Sequence, residues 1–268
     1  MSEGGPARAC PACQAAGARL LPDYSPAPWE VVQCTACGFV FLKNPPGYSA
    51  LVEDFAWERT SAEVRKRRRR DKPVSTALRL SFQRLVKMVR RDRAAEFTRL
   101  FGRGRVLDIG CGRGHRLQAP LVPYGIELSR QLAAEADQRM RGLGGACLHA
   151  AGAEGIASFG EEFFDGILMH SYLEHEEAVL PVLKGAFRTL KPGGRIFVRV
   201  PNYASANRRI LGKGWSGFRY PDHVNYFTPA SLADVAGQTG FAMTITNWWH
   251  LWFDDNIHAL LTKRGAAA

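Results

Sequence analysis

The chain has 268 residues, of which 46% are hydrophobic, and its formal net charge is +11. This length suits one well-buried core with a small appended module. The first residues lack the apolar run of a signal peptide, and no stretch approaches the ~18 apolar residues that a membrane span needs. Composition therefore disfavours a membrane-spanning protein, and we expect a cytoplasmic location.

Two cysteine pairs, Cys10-Cys13 and Cys34-Cys37, each have the C-x2-C spacing. In a cytosolic protein thiols are more often metal ligands or core fillers than disulfides. The spacing predicts a four-thiolate, tetrahedral Zn²⁺ site, with Gly38 freeing the backbone after the second pair. The alternative is two unconnected thiol pairs. With all four positions filled by protein, the zinc would be structural, in a ribbon-like module of residues 1–46.

The charge of the chain is concentrated in one segment. Residues 59–105 hold 17 Lys/Arg and 4 Asp/Glu, so this segment carries +13 and the remainder about −2. Residues 47–100 read as a basic helical linker or lid, in which Leu78, Phe82, Leu85 and Val89 share one helix face. The run of six cations at residues 65–70 is consistent with phosphate binding. We favour a solvated surface, because no aromatic residues are interleaved to stack bases.

A short apolar strand at residues 106–109 runs into a glycine-rich turn, with Gly110, Gly112 and Gly114 following Asp108. Glycines at such a turn let the backbone approach a ligand closely. The next apolar stretch ends at Glu127, where an acid can accept hydrogen bonds from a ribose diol. The pattern predicts a nucleotide-cofactor site. Only 12 residues, two of them prolines, separate Gly114 from Glu127, so the intervening helix should be short or distorted.

Further along, Ser129 is a predicted N-cap of a helix, and residues 147–149 form a predicted strand followed by Glu154. Another strand leads to a loop at residues 170–175, which should lie at the carboxyl end of the sheet, where open α/β folds bind ligands.

The C-terminal third begins with a long insertion at residues 203–227 that is rich in aromatic side chains. We interpret it as the wall of the acceptor site, with Trp215 and Tyr220 enclosing a compact acceptor. Thr228 and Pro229 then begin a helix. Two last strands follow, at residues 241–246 and 257–262. The aromatic run at residues 248–253 between them is assigned to core packing, with a pocket rim or a dimer contact as the alternatives.

These motifs, in this order, resemble a known family. Residues 106–115 resemble motif I of the class I S-adenosylmethionine (SAM)-dependent methyltransferases. Residues 164–175 and 190–202 resemble the "LEH" turn and the "LKPGG" turn with its strand in the group that includes the ubiquinone-biosynthesis O-methyltransferases, and residues 223–228 resemble that group's "H-x-x-x-F-T" stretch. The resemblance implies an α/β, Rossmann-like domain at residues 101–268. Its seven-stranded sheet would be mostly parallel, with the last strand antiparallel.

The resemblance also implies SAM as cofactor and assigns roles to individual residues. The implied cofactor-binding residues are Asp108, Gly110, Gly112, Gly114, Glu127, Glu154 and His170. For a hydroxyl acceptor a base near neutral pH is useful, and histidine suits that task. The candidates are His223 first, because it lies in the aromatic insertion, and then His170 and His175. A histidine that only bonds a loop carbonyl is the alternative for His223.

The favoured function is O-methylation of a small molecule or glycan, such as a secondary metabolite, a sugar or a quinone-like acceptor. Similar ribbons precede methyltransferase domains in bacterial families that act on sugars, glycan ends and secondary metabolites. One alternative is an RNA methyltransferase that grips its substrate with the ribbon and basic segment. Another is a SAM-fold binding module without catalysis. A monomer and a homodimer are both compatible with the sequence.

Overall fold

The computed structural model describes residues 4–46 and 93–263. The run at residues 65–70 and most of the predicted lid lie outside the described residues. Within them the strands are, in chain order, β1 (Ala18–Leu20), β2 (Val31–Cys34), β3 (Val40–Leu42), β4 (Gly104–Ile109), β5 (Leu121–Glu127), β6 (Ala146–His149), β7 (Phe164–His170), β8 (Leu190–Pro201), β9 (Asn225–Tyr226), β10 (Phe241–Ile245) and β11 (Asn256–Lys263). The helices are α1 (Arg93–Phe101), α2 (Arg130–Arg141), α3 (Gly152–Ala157), α4 (Val179–Thr189), α5 (Ala206–Leu211) and α6 (Pro229–Gln238).

Seven strands form the central sheet, in the order β10-β11-β8-β7-β4-β5-β6. The pairs from β8 to β6 are parallel, and β11 runs antiparallel to both of its neighbours. The predicted fold, a seven-stranded and mostly parallel sheet whose last strand is antiparallel, is confirmed. In such a sheet the carboxyl ends of the parallel strands meet at one edge, which is where this chain places its glycine-rich turn.

Two helices begin at the caps that the sequence predicted. Ser129 caps α2 by accepting a hydrogen bond from the backbone N–H of Leu132. Thr228 caps α6 in a reciprocal capping box with Ser231, and Pro229 is the first helical residue. Caps of this kind satisfy backbone donors that have no partner within the helix. The buried face of α2 consists of Leu132, Ala133, Ala136 and Met140.

The chain between the glycine-rich turn and β5 contains turns and no helix. The sequence predicted a short or distorted helix there. That prediction is wrong, because the segment forms turns and no helix. Gly110, Gly112 and Gly114 have φ angles of 70°, 57° and 69°. This is the left-handed region that glycine tolerates and other residues rarely adopt, so the backbone of this turn depends on its glycines.

A second sheet joins the N-terminal module to the insertion after β8. Its order is β1-β2-β3-β9, and β3 pairs with β9 through Val40 opposite Tyr226 and Phe41 opposite Asn225. The guanidinium of Arg8 donates to the backbone oxygens of Leu42 and Val224, which reinforces the seam. The two parts of the chain are therefore hydrogen-bonded strand to strand.

The aromatic side chains of the insertion pack on this second sheet. Trp215 is 2% exposed and lies in a cluster with Trp29, Val31, Val40, Leu42, Tyr203, Val224 and Tyr226. Its indole N–H donates to the Asp255 carboxylate at 3.0 Å. The interpretation of Trp215 as acceptor wall is wrong, because burial against the ribbon strands leaves its side chain no surface to offer.

The aromatic run at residues 248–253 also differs from its prediction. Leu251 alone in that run is a buried apolar residue, whereas Trp248, Trp249, Trp252 and Phe253 are exposed. The assignment to core packing is therefore wrong for these four side chains. A short 3-10 helix at Trp248–His250 turns the chain so that Leu251 points inward and its neighbours point outward. In the part of the chain that the structure describes, no helix is both long and apolar enough to cross a bilayer.

Candidate functional site

The strand ends bring most of the predicted cofactor residues to one edge of the sheet. Gly110 follows β4, Glu127 ends β5, and His170 ends β7. The strands β5, β4 and β7 are parallel neighbours, with Ile109 opposite Ile126 and Asp108 opposite Leu168. Side chains and turns that follow these strands therefore share one crevice.

Glu127 holds the glycine-rich turn directly. One carboxylate oxygen accepts a hydrogen bond from the Gly112 N–H at 2.8 Å, and the other accepts one from the Ser129 N–H at 3.0 Å. Backbone donors on an ionised carboxylate give strong, directional bonds. The acid is thus fixed in position beside the turn, while each of its oxygens retains further accepting capacity.

Beneath the turn lies an ion pair that the sequence did not single out. Asp108 is fully buried and accepts from Arg116 Nη1 at 3.0 Å, and the same nitrogen donates to the Gly110 carbonyl at 3.0 Å. Burial raises the pKa of the Asp108 carboxyl, and the neighbouring Arg116 guanidinium opposes that shift. Asp108 therefore acts from below the turn, where it braces the backbone through Arg116.

Glu154, the other acid in the predicted cofactor set, is exposed in the first turn of α3. Neighbouring Gly152 faces the hydroxyl of Tyr172, and a Cβ at Gly152 would overlap that oxygen. A Cβ at Gly110 would lie 3.1 Å from the ring of the same tyrosine. Tyr172 thus lies against both the glycine-rich turn and the start of α3.

A strained turn follows β7. Ser171 adopts a φ of 55°, which is uncommon for a residue with a side chain. Its N–H donates to the Arg199 carbonyl at 2.8 Å, and its hydroxyl accepts from Arg199 Nη1 at 2.6 Å. Backbone strain that surrounding contacts maintain is concentrated at functional turns. After this turn Glu174 is buried, whereas the side chain of His175 is 30% exposed.

Two of the three predicted histidines come together at this turn. The rings of His175 and His223 are edge to face, with their centroids 4.8 Å apart. Nδ1 of His175 is 2.7 Å from the Asp222 carbonyl, and Nδ1 of His223 is 2.8 Å from the Gly217 carbonyl. A carbonyl only accepts, so each Nδ1 carries the proton, and in the neutral ring Nε2 keeps its lone pair. His170 stays at the end of β7, outside this pair.

Glu174 completes the cluster. Its carboxylate lies 4.0 Å from His175 Nε2, and one of its oxygens is buried without a hydrogen-bond partner. One ligand atom from each of Glu174, His175 and His223 lies within 4.8 Å of the others. A carboxylate with two imidazole nitrogens is also a donor set that divalent cations accept, and both rings are oriented by carbonyls as metal-binding histidines are.

Burial controls the charge of this cluster. It raises the pKa of Glu174 to about 7 and lowers the pKa of His175 to about 4. The pKa of His223 is also lowered, by burial and by the neighbouring His175. A low-dielectric site disfavours charged forms, so burial favours the neutral form of both imidazoles. The side chain of His175 is 30% exposed whereas His223 is almost fully buried, so His175 is the more accessible of the two bases.

Asn225 ties the insertion to this turn, although it was not among the residues predicted from the sequence. Its amide donates to the carbonyls of Leu173 and Glu176 at 2.8 and 2.6 Å. The backbone N–H groups of Val224 and Asn225 both donate to the Glu174 carbonyl. These bonds bring His223 to His175 across 48 residues of sequence. Asn225 lies inside the "H-x-x-x-F-T" stretch, which was the signal that could have identified it.

The four N-terminal cysteines also come together. Sγ of Cys10 is 3.6 Å from that of Cys37, and Sγ of Cys13 is 3.6 Å from that of Cys34. All four sulfurs lie within 4.8 Å of one another. A tetrahedral ion with Zn–S bonds of about 2.3 Å holds its sulfurs about 3.8 Å apart, so the group fits such an ion.

The two knuckles share one backbone pattern. In each, the N–H of the residue four positions after the first cysteine donates to that cysteine's carbonyl, as Gln14 does to Cys10 and Gly38 to Cys34. Gln14 and Gly38 both have positive φ, 63° and 75°. The predicted role of Gly38 in freeing the backbone agrees with this geometry. In the first knuckle Gln14 adopts the same conformation without being glycine.

Comparison with known proteins decides the family. A family model described as a methyltransferase domain matches residues 81–245, which is more than half of the chain. The chain belongs to this methyltransferase family. This methyltransferase is 29% identical over 210 residues to a ubiquinone biosynthesis O-methyltransferase of Sinorhizobium medicae, covering 65% of this chain and 81% of the relative. A relative of the same name from Rhizobium leguminosarum bv. trifolii is 30% identical over 189 residues, covering 60% and 72%.

Solved structures support the same fold. The crystal structure of a SAM-dependent methyltransferase from Archaeoglobus fulgidus superposes with a TM-score of 0.50 at 17% identity, covering 67% of this chain and 94% of that one. The methyltransferase described here is a SAM-dependent enzyme. The sequence-based alternative of a binding module without catalysis is set aside by this family membership.

Proposed function

We propose that this methyltransferase O-methylates a compact, hydroxyl-bearing small molecule or glycan. The observation that carries the proposal is the edge-to-face pair of imidazoles, His175 and the buried His223, beside the buried Glu174 in the turn after β7. The relatives named as ubiquinone biosynthesis O-methyltransferases support a hydroxyl acceptor. Quinone-like phenols, sugars and secondary metabolites all meet this description.

Cofactor binding is assigned to the glycine-rich turn and the acid beside it. When bound, SAM supplies a methyl group on a positively charged sulfur. The backbone of Gly110, Gly112 and Gly114 would approach the cofactor closely, and Glu127 would accept from the ribose hydroxyls with the oxygen capacity that its two backbone bonds leave. Asp108 contributes from below, through its ion pair with Arg116. Glu154 and His170 remain proposed as cofactor-binding residues.

His175 is assigned the role of general base for the acceptor hydroxyl. Nε2 of His175 would take the proton of the acceptor hydroxyl, so that its oxygen could accept the methyl group that bound SAM would supply, with the C–S electron pair going to the thioether sulfur. His223 packs edge to face against His175 and keeps it in place, while the Asp222 carbonyl fixes the tautomer. Because the leaving thioether is neutral, orientation of the acceptor supplies much of the acceleration.

A structural zinc ion is assigned to the N-terminal module. Cys10, Cys13, Cys34 and Cys37 would hold one structural Zn²⁺, supported by the mutual distances of their sulfurs. We keep the division into residues 1–46, 47–100 and 101–268, and the cytoplasmic location, as predictions.

The test is a transfer assay with SAM carrying a labelled methyl group. The full chain is incubated with a catechol, its singly methylated ether, an aniline of the same shape, a free sugar and transcribed RNA. We expect label on the catechol or the sugar and none on the aniline. Label on the aniline alone would refute O-methylation, and label on RNA alone would replace the acceptor class.

A further inference from the structure

The largest exposed apolar side chains are gathered in two segments of the chain that are hydrogen-bonded to each other. Seven large hydrophobic residues are exposed among those that the structure describes, and six of them belong to two neighbouring segments, with exposures between 54% and 80%. We call these six the aromatic face: Ile210, Leu211, Trp248, Trp249, Trp252 and Phe253. Singly exposed apolar residues need no explanation, but a contiguous group marks an interaction surface.

Hydrogen bonds place the two segments side by side. The Ala206 N–H donates to the Trp252 carbonyl at 2.8 Å, and the Asn207 amide donates to the Phe253 carbonyl at 3.3 Å. Ile210 and Leu211 lie four residues further along α5, one turn after these two contacts. Asn207 and Leu211 share a helix face because they are four residues apart, so Leu211 continues the side of α5 that meets Phe253, and the exposed Ile210 is its neighbour in sequence.

The aromatic face is held in shape from beneath. Leu251 is buried under it, and the Asn202 amide donates to the Leu251 carbonyl at 2.9 Å. The buried Asn247 amide donates to Asp254 and to the Asn256 carbonyl. The tryptophans are therefore exposed in the folded state of this loop, because hydrogen bonds from Asn202 and Asn247 hold its backbone in place.

The fully exposed charged residues beside the aromatic face are cations. Residues 203–220 contain four cations, Arg208, Arg209, Lys213 and Arg219, and no acid. Arg209 and Lys213 are exposed on α5 and the turn after it. The nearby acids are engaged within the fold, since Asp255 accepts from Trp215 and Asp254 is bonded to Asn247 and paired with His250. The surface thus presents tryptophans next to cations.

We propose that the aromatic face docks on an anionic phospholipid bilayer. Tryptophan is enriched at membrane interfaces because its ring is apolar and its N–H can remain hydrated. Cations beside such an apolar face add attraction to anionic headgroups. A second copy of the chain is a poorer occupant, because a twofold contact would bring Arg209 and Lys213 of both copies together. The inference goes beyond the proposed function and requires no particular acceptor.

The test is binding of the full chain to vesicles of phosphatidylglycerol and phosphatidylcholine, measured by co-sedimentation and by quenching of tryptophan fluorescence with brominated lipid. We expect binding to these vesicles and at least about tenfold weaker binding to pure phosphatidylcholine. The double variant Trp249→Ser/Trp252→Ser should weaken binding to the anionic vesicles about tenfold or more. Leu20→Ser, which removes an exposed apolar side chain on β1, is the matched control and should change nothing.

Two further arms separate the alternatives. Arg209→Gln/Lys213→Gln should weaken binding by roughly thirtyfold if each cation faces headgroups. Glutamines at positions 67–70 test the other basic segment, and loss of binding in that variant alone would overturn the proposal. Analytical ultracentrifugation tests whether the aromatic face instead binds a second copy of the chain. The proposal would also be overturned if the unaltered chain is a dimer that does not bind vesicles and the Trp249→Ser/Trp252→Ser variant is a monomer. SAM affinity and thermal unfolding verify that every variant is folded.

Discussion

The Glu127 carboxylate accepts a hydrogen bond from the Gly112 N–H at 2.8 Å, so the acid that ends β5 fixes the turn that follows β4. The same side chain also accepts from Ser129, the N-cap of α2. One carboxylate thereby couples two strand ends and a helix start before any ligand arrives. Preorganisation of this kind reduces the ordering cost of binding.

Replacing Glu127 with Ala should weaken SAM binding at least about tenfold. The change removes charge-assisted bonds worth roughly 1.5–3 kcal/mol each, to the ribose and to the turn. Titration calorimetry measures the affinity. Glu161→Ala, an exposed acid in the turn before β7, is the matched control and should leave the affinity unaltered. Equal affinities for Glu127→Ala and the unaltered chain would sink the cofactor assignment.

Replacing His175 with Ala should lower kcat by about 10²- to 10⁴-fold, which is the usual contribution of a positioned base. SAM affinity should be unchanged, because His175 belongs to the turn after β7 and not to the glycine-rich turn. His223→Ala should produce a smaller loss, since it acts through His175. A role confined to folding would instead lower the melting temperature and the SAM affinity together.

The pH profile identifies which member of the cluster takes the proton. Burial lowers the pKa of His175 to about 4, so the ring remains neutral as pH falls through 6.5, where an ordinary histidine would become protonated. We therefore expect kcat to hold between pH 8 and about pH 5.5. Burial raises the pKa of Glu174 to about 7. A tenfold loss of kcat per pH unit below 7 would assign the proton to Glu174 instead.

Metal analysis should find one zinc per chain, bound by the four N-terminal cysteines. Cys13→Ser and Cys34→Ser should lose it, whereas Cys147→Ser, outside the cluster, should keep it. Because β3 pairs with β9 next to His223, loss of zinc should reduce turnover more than SAM affinity. Less than half an equivalent in reduced, metal-replete protein contradicts the site. A second equivalent, lost in Glu174→Gln, would place another ion at the histidine cluster.

Glutamines at positions 67–70 should leave turnover on a small acceptor nearly unchanged. If RNA is the acceptor, these cations contact phosphates, and binding falls steeply with salt because counterions are released. Turnover is measured between 50 and 300 mM salt. A large loss in the variant, reversed by lowering the salt, would favour the nucleic-acid alternative.

The sequence predicted the central sheet well because its elements carry their own signals. The caps at Ser129 and Thr228 and the glycine-rich turn each follow from neighbouring residues. The four-cysteine cluster was predictable in the same way, because the C-x2-C spacing of each pair is a local feature of the sequence. The structure contains each of these locally specified elements.

Tertiary pairing explains what the sequence did not predict. Trp215 is buried because strands 170 to 190 residues earlier cover it, and Trp249 is exposed because Leu251 alone in that run is placed inward. Both are aromatic residues in aromatic stretches, so composition could not distinguish them. The meeting of His175 and His223 likewise depends on Asn225, a polar residue whose partners lie about 50 positions away.

The pairing of β3 with β9 has a consequence for protein engineering. A shortened chain beginning at residue 93 would expose β9 as an open edge and uncover Trp215 and Tyr226. Unprotected edges beside apolar surface recruit other chains, so such a fragment would aggregate. A chimera that exchanges ribbons between relatives must therefore exchange residues 203–227 as well. The transplantable unit of this enzyme is discontinuous in sequence, a ribbon together with the loop on which it rests.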